Sequence, residues 1–250
     1  MIEHTSSHWK KYNIEGVGIV IPESQHIRYF PEILLNKLYL RQFCDNPNVI
    51  DGLYAVLSKQ HRCLDFNCAK TAVAIHHIIS IYPANNISSV CVIGDGNAIF
   101  SSLWKSLYPR TKVTMINLKK ILPYDKLYGG MASSEFEYVE AENSKHLFCS
   151  NTDLFVNIAS MQEMTYDAIE YYFSMMRSSN GARLFYCVNR DCKIHPDGTK
   201  IEFNKYPWKK TDMMLLDQDA DWYSKYPSKI PPFWHNVDGA VRERFVGLGV

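Results

Sequence analysis

Ser88-Ser89-Val90-Cys91-Val92-Ile93-Gly94-Asp95-Gly96-Asn97 is the stretch from which the fold can be read. A short run of β-branched and apolar residues stops at Gly-Asp-Gly, the pattern of a buried strand breaking into a tight turn. The following Ala98 to Leu107 carries apolar residues at helical spacing, with no breaker before Pro109. The unit is therefore strand, glycine turn, helix. Glycine lets the backbone come close to a ligand, and the first turn of the helix offers N–H groups to something polar. That is a nucleotide-binding arrangement.

A dinucleotide turn of the form G-x-G-x-x-G needs a third glycine where helix and strand pack closely. Here Ile99 stands in that place. A two-glycine turn with an acidic tip, Asp95, suits a ligand without a pyrophosphate. S-adenosyl-L-methionine is one, since its amino-acid end can use both backbone groups and a carboxylate. A nicotinamide-dependent oxidoreductase acting on a nucleotide sugar is the competing reading, and a non-catalytic domain of the same fold is a third.

The chain has 250 residues, enough for one domain with a generous core, with or without a small cap. Its formal net charge of +1 argues against a nucleic-acid partner bound by phosphate neutralisation, which needs a marked basic excess or a basic cluster. No run approaches the roughly 18 apolar residues of a membrane span, and no basic region followed by an apolar stretch opens the chain. A cytoplasmic location is expected. The seven cysteines, Cys44, Cys63, Cys68, Cys91, Cys149, Cys187 and Cys192, contain no Cys-x-x-Cys pair, so buried reduced thiols are expected rather than a zinc site or a disulfide framework.

Read in order, Val17 to Pro22 suggests a short strand or extended arm. Pro31 to Phe43 is an amphipathic helix behind an N-terminal proline, and Val49 to Leu57 can form another. Residues 1–65 thus read as a helical cap or arm, with a ligand-binding domain over 66–250. Phe66 to Tyr82 is strongly helical. Its His76-His77 pair points in directions about 100° apart and is poorly placed to share a metal. Lys112 to Leu118 is the second strand, ending near Asn117, where α/β nucleotide folds commonly carry an acidic ribose partner. Residues 123–134, with Gly129-Gly130, read as a loop, and Phe136 to Glu140 as a third strand.

Asp153 to Ser160 is the continuous apolar run of a central parallel strand, followed by a helix over Tyr166 to Arg177 and a fifth strand over Arg183 to Asn189. Alternating strands and helices specify a doubly wound α/β sheet with ligands at the C-terminal strand ends. Asn157, Ser160, Gln162 and Glu163 at one strand end, and Asn189 and Arg190 at the other, are then candidate site residues. His195 to Thr199 has hairpin-turn composition. Asp217, Asp219 and Asp221 read as a solvated loop, with no metal expected. Val241 to Leu248 alternates as a final strand, and a terminal antiparallel hairpin on a parallel sheet fits a methyltransferase-type sheet better than a dehydrogenase one.

Four segments carry a resemblance: Val92 to Gly96, Val156-Asn157-Ile158-Ala159-Ser160-Met161-Gln162-Glu163-Met164, Phe185 to Arg190, and Tyr206-Pro207-Trp208. Together they resemble the sugar O-methyltransferases of bacterial polysaccharide gene clusters, within the class I S-adenosylmethionine-dependent methyltransferases. The resemblance covers roughly residues 67–250. It implies a Rossmann-like sheet, S-adenosyl-L-methionine as cofactor, and a small-molecule or glycan acceptor. Gly94, Asp95, Gly96, Asn117 and Asn157 would hold the cofactor. Glu163 lies where many small-molecule methyltransferases of this fold place a substrate-facing histidine, so a carboxylate there can take the hydroxyl proton, with His195 as rival base. Ser160, Gln162, Asn189 and Arg190 would line the acceptor pocket, and Tyr206 and Trp208 would stack on a sugar face.

Overall fold

The computed structural model describes residues 20–133, 135–148, 150–228 and 231–249. Residues 1–19 of the proposed N-terminal cap or arm, and Cys149, lie outside them. Within the arm, Pro22 bridges antiparallel to Arg62, and Cys63 N–H donates to the Ile21 carbonyl at 2.7 Å.

Three helices precede the sheet: α1 (Phe30–Phe43), α2 (Pro47–Lys59) and α3 (Phe66–Ile81). Their starts are chemically explicit. Proline occupies the first turn of α1 and of α2, where its missing N–H costs nothing. The Asn46 carboxamide accepts from Asn48 N and Val49 N to cap α2, and Asp65 accepts from Cys68 N to cap α3.

The sheet begins with β1 (Ser89–Ile93) and continues through α4 (Ile99–Leu107), β2 (Lys112–Asn117), α5 (Leu122–Ala132), β3 (Phe136–Glu140), β4 (Leu154–Ile158), α6 (Tyr166–Arg177) and β5 (Leu184–Arg190). A small hairpin, β6 (Cys192–Ile194) and β7 (Lys200–Glu202), follows. Next come β8 (Met213–Asp219), a second hairpin of β9 (Lys225–Pro227) and β10 (Trp234–Asn236), and β11 (Val241–Gly247). The main sheet has the order β3-β2-β1-β4-β5-β11-β8. All pairings from β3 to β5 are parallel, whereas β11 runs antiparallel to both β5 and β8.

Period-two alternation sorts the core into two layers. Val90, Val92, Leu154, Val156, Tyr186 and Val188 join the apolar cluster that includes α1, α2 and α3. Cys91, Ile93, Phe155, Phe185 and Cys187 turn to the other face, against α6.

Two readings of the sequence are corrected. Residues 123–134 are mostly helix α5 rather than loop: Gly129 is required because a Cβ there would stand 2.6 Å from the Tyr138 hydroxyl on β3. The glycine marks close packing, not a turn. Asp217 and Asp219 belong to strand β8, not to a solvated loop. They alternate because they face arginines on β11, with Arg242 donating to both at 2.8 Å and Arg244 to Asp217 at 2.7 Å.

Candidate active site

A cavity of about 580 Å³ opens at the C-terminal ends of β1, β2 and β4. This volume lies within the usual range for small-molecule sites. Gly94, Asp95 and Asn97 form one wall, Asn117 and Leu118 a second, Ser160 and Glu163 a third, and Asn67, Lys70 and Thr71 of α3 a fourth.

The β1–α4 turn is built on positive φ. Gly94 lies at +80° and Gly96 at +81°. Ala98, immediately before α4, is also left-handed at φ 54°, a conformation that costs an alanine roughly 1–2 kcal/mol. Gly94 is doubly constrained, since a Cβ there would come within 2.0 Å of Ser160 Oγ. The loop after β4 thus closes on the glycine turn.

Asp95 does not leave the helix start free, as the sequence had suggested. Its carboxylate accepts from Phe100 N at 3.1 Å and Ser101 N at 2.8 Å, so the chain caps its own helix. Burial raises the Asp95 pKa above the ordinary carboxylate value, and these hydrogen bonds oppose the rise.

Below the turn lies Asp125 of α5, fully buried, a residue that sequence reading missed. Its Oδ1 accepts from Ala98 N at 3.1 Å and its Oδ2 from Asn117 Nδ2 at 2.9 Å. It therefore ties the strained residue to the end of β2. Burial, reinforced by the nearby Asp95 charge, pushes its pKa up to about 7. Because residues 123–134 read as a loop, nothing marked this aspartate in the sequence. Beside it, the buried Arg62–Asp65 pair, 2.6 Å apart, reaches the turn through Arg62 Nη1 to Asn97 Oδ1 at 3.3 Å.

Of the residues predicted to form the site, Gly94, Asp95, Asn117, Ser160 and Glu163 line the cavity, whereas Gly96, Asn157, Gln162, Asn189, Arg190, His195, Tyr206 and Trp208 do not. The side chains among them are engaged elsewhere. Asn157, fully buried, donates to the Ile93 carbonyl at 2.8 Å and accepts from Met161 N at 3.0 Å and Asn189 Nδ2 at 2.8 Å. Asn189 in turn accepts from Gln162 N, and Gln162 Oε1 accepts from Arg190 N. These side chains lock the ends of β4 and β5 together. The Arg190 guanidinium points to Asp238 at the surface.

His195 hydrogen-bonds the Gln162 carbonyl through Nε2 at 2.9 Å, within the β6–β7 turn. Tyr206 is buried in the α6-side core, and Trp208 is fixed there by its Nε1 donating to the Phe203 carbonyl at 2.9 Å and by Arg244 4.6 Å above its ring. Both faces of the supposed stacking platform are committed to packing.

Glu163 is an exposed carboxylate on the cavity. Its Oε1 takes Gln162 Nε2 at 3.2 Å and Lys193 Nζ at 3.4 Å, and Oε2 has no hydrogen-bond partner among the described residues. Among those residues no group of three or more His, Cys, Asp and Glu could hold a metal ion, and no helix is long and apolar enough to cross a membrane.

Seven strands in this order, with the sixth in space reversed, form the sheet that sequence reading set against the dehydrogenase sheet. The chain has the class I methyltransferase fold. A protein of Thermoplasma acidophilum is similar in fold at 12% identity and a TM-score of 0.54, over 81% of this chain and 98% of that one. Two further solved structures align less closely. One, proposed to be an RNA methyltransferase of Pyrococcus horikoshii, gives 11% identity and a TM-score of 0.49 over 73% of this chain and 85% of that one. The other, mitomycin 7-O-methyltransferase, gives 11% and 0.44 over 74% and 56%. No family model and no curated protein matches the chain. The sugar-methyltransferase likeness thus has no family match beside it, and of two residues that carried it Tyr206 is buried and Trp208 is half-buried against the core.

Proposed function

We propose that the protein is an S-adenosyl-L-methionine-dependent O-methyltransferase that methylates a hydroxyl of a small-molecule or glycan acceptor, with a sugar as the acceptor class. The observation that carries this reading is the cavity itself. Its glycine turn and its one carboxylate with an unpartnered oxygen, Glu163, face a common volume at the strand ends where folds of this class bind ligands.

The residues present suit the cofactor. Gly94 and Asp95 bring backbone to the cavity, Asn117 stands at the end of β2, and Leu118, Ile121 and Ala141 add apolar surface near it. When bound, the cofactor supplies an electrophilic methyl group on a sulfonium. The rest of the work falls to the chain. Glu163 receives the hydroxyl proton on Oε2, while Lys193 and Gln162 hold Oε1 and fix the carboxylate. Ser160, packed on Gly94, keeps the two walls in register.

Calorimetric titration with S-adenosylhomocysteine, beside NAD and NADP, tests the class. Saturable one-site binding of the first alone is expected, and binding of a nicotinamide nucleotide instead overturns the reading. Glu163→Gln should keep that binding and lower transfer of labelled methyl to a panel of free hexoses and uronic acids by about 10²–10⁴-fold. Full turnover in this variant rules out the base.

A further inference from the structure

The charged residues on the cavity wall are Lys70, Asp95, Lys120 and Glu163. Asp95 is engaged by the α4 N–H groups and Glu163 by Lys193, while Lys120 is exposed to solvent. Lys70 differs from all three. It is half-buried, donates from Nζ to the Tyr223 hydroxyl at 2.9 Å, and lies 4.6 Å from the centroid of that ring. Among the described residues no carboxylate pairs with it. A half-buried ammonium whose near neighbours are the Tyr223 hydroxyl and ring and, 6.0 Å away, the Phe66 ring has no anionic partner among those residues, and a compact lysine charge beside a hydroxyl donor is suited to an anionic oxygen group.

The surroundings favour such a group. Phe66 packs 5.8 Å from Tyr223 and 6.5 Å from Tyr226, and Tyr226 stacks on His235 across the β9–β10 hairpin at 5.6 Å. Of these rings, Tyr223 and Phe66 lie against the Lys70 ammonium itself. Lys70 lines the same cavity as Asn117 and Leu118 but projects from α3 toward Tyr223 in the turn that follows β8, the edge strand opposite β3.

We infer that Lys70 and Tyr223 form an anion-binding corner for the acceptor, which therefore carries a phosphate or a carboxylate in addition to the hydroxyl that is methylated. This rests on the methyltransferase reading, in which the donor occupies the Gly94–Asn117 side. The donor's own carboxylate is the rival occupant, and the test separates the two.

The melting temperature of the full chain, saturated with S-adenosylhomocysteine, is followed against inorganic phosphate and against acetate, each at constant ionic strength set with sodium chloride. A saturable rise with phosphate marks a phosphorylated acceptor, and one with acetate alone a carboxylated one. In Lys70→Met the rise should weaken about tenfold or more, and in Tyr223→Phe by less. S-adenosylhomocysteine affinity should stay within twofold in both variants. No saturable rise in the native chain overturns the corner, as does a rise that survives Lys70→Met. A tenfold loss of S-adenosylhomocysteine affinity in Lys70→Met assigns the corner to the donor and overturns the acceptor proposal. If the native chain fails to bind S-adenosylhomocysteine at all, the methyltransferase reading fails, and the same anion titration on the unliganded chain still decides whether the corner exists.

Discussion

The ends of β1 and β2 and the ends of β4 and β5 both carry buried polar side chains, and the two sets are wired differently. At β4 and β5, Asn157, Gln162 and Asn189 satisfy one another and the local backbone, and none lines the cavity. At β1 and β2, Asp95 and Asn117 are also hydrogen-bonded within the chain, yet both remain on the cavity wall. The first set is a closed lock and the second a wall whose shape depends on two acidic groups held close together. In this sheet a polar residue at a strand end reaches the cavity beside the glycine turn and not within the lock.

The sharpest break in this comparison is Gly94→Ala. A side chain at φ +80° that meets Ser160 Oγ at 2.0 Å should cost about 2–6 kcal/mol and abolish S-adenosylhomocysteine binding. Denaturant unfolding and calorimetry check both. Pairing it with Ser160→Gly should recover part of the stability, because the clash goes and the backbone strain stays.

The acid–base contrast comes next. Asp125 has a pKa of about 7 in the folded chain against 3.8 as the ordinary value. Between those pH values the folded chain holds a proton that the unfolded chain releases, so stability falls as pH rises through the window, by up to about 4 kcal/mol. Urea unfolding at steps from pH 4 to pH 7.5 should show this slope in the native chain and a flatter one in Asp125→Asn.

Asn157→Leu should cost about 2–4 kcal/mol by stripping partners from Met161 N, Asn189 Nδ2 and the Ile93 carbonyl. Its effect on S-adenosylhomocysteine affinity should stay below threefold if the lock is only structural. A large loss of affinity would erase the distinction between the two regions. The smallest effect expected is a gain: Ala98→Gly relieves the left-handed strain and should stabilise the fold by about 0.5–1 kcal/mol, net of glycine's greater freedom when unfolded.

What the sequence disclosed follows from the physics of each signal. Strands β1, β4 and β5 were legible because a parallel strand buried on both faces is an unbroken apolar run, and α2, α3 and α6 because caps and periodicity coincide. Helix α5 was hidden by Gly129-Gly130, where glycine serves packing against Tyr138, and Asp125 was hidden with it. Strand β8 was hidden because its aspartates look solvated until the arginines of β11 are placed opposite them. At the site, the sequence gives residue types at strand ends but not the direction of each side chain. That is why Gly94 and Glu163 fell on the cavity while Asn157, Asn189 and Tyr206 fell in the core.

Strand β11 separates β5 from β8 in the sheet although it is made after both. On a ribosome, β8 therefore emerges with no partner to receive its hydrogen bonds until residues 241–247 follow it, so the half-built chain exposes an open edge at β5. The C-terminal strand also delivers Glu243, whose carboxylate takes His77 of α3, Tyr186 of β5 and Trp222 together. Closure of the sheet and neutralisation of that buried hub are then one late event. Before it occurs, the nascent protein is the species most exposed to edge-to-edge aggregation and to chaperone capture.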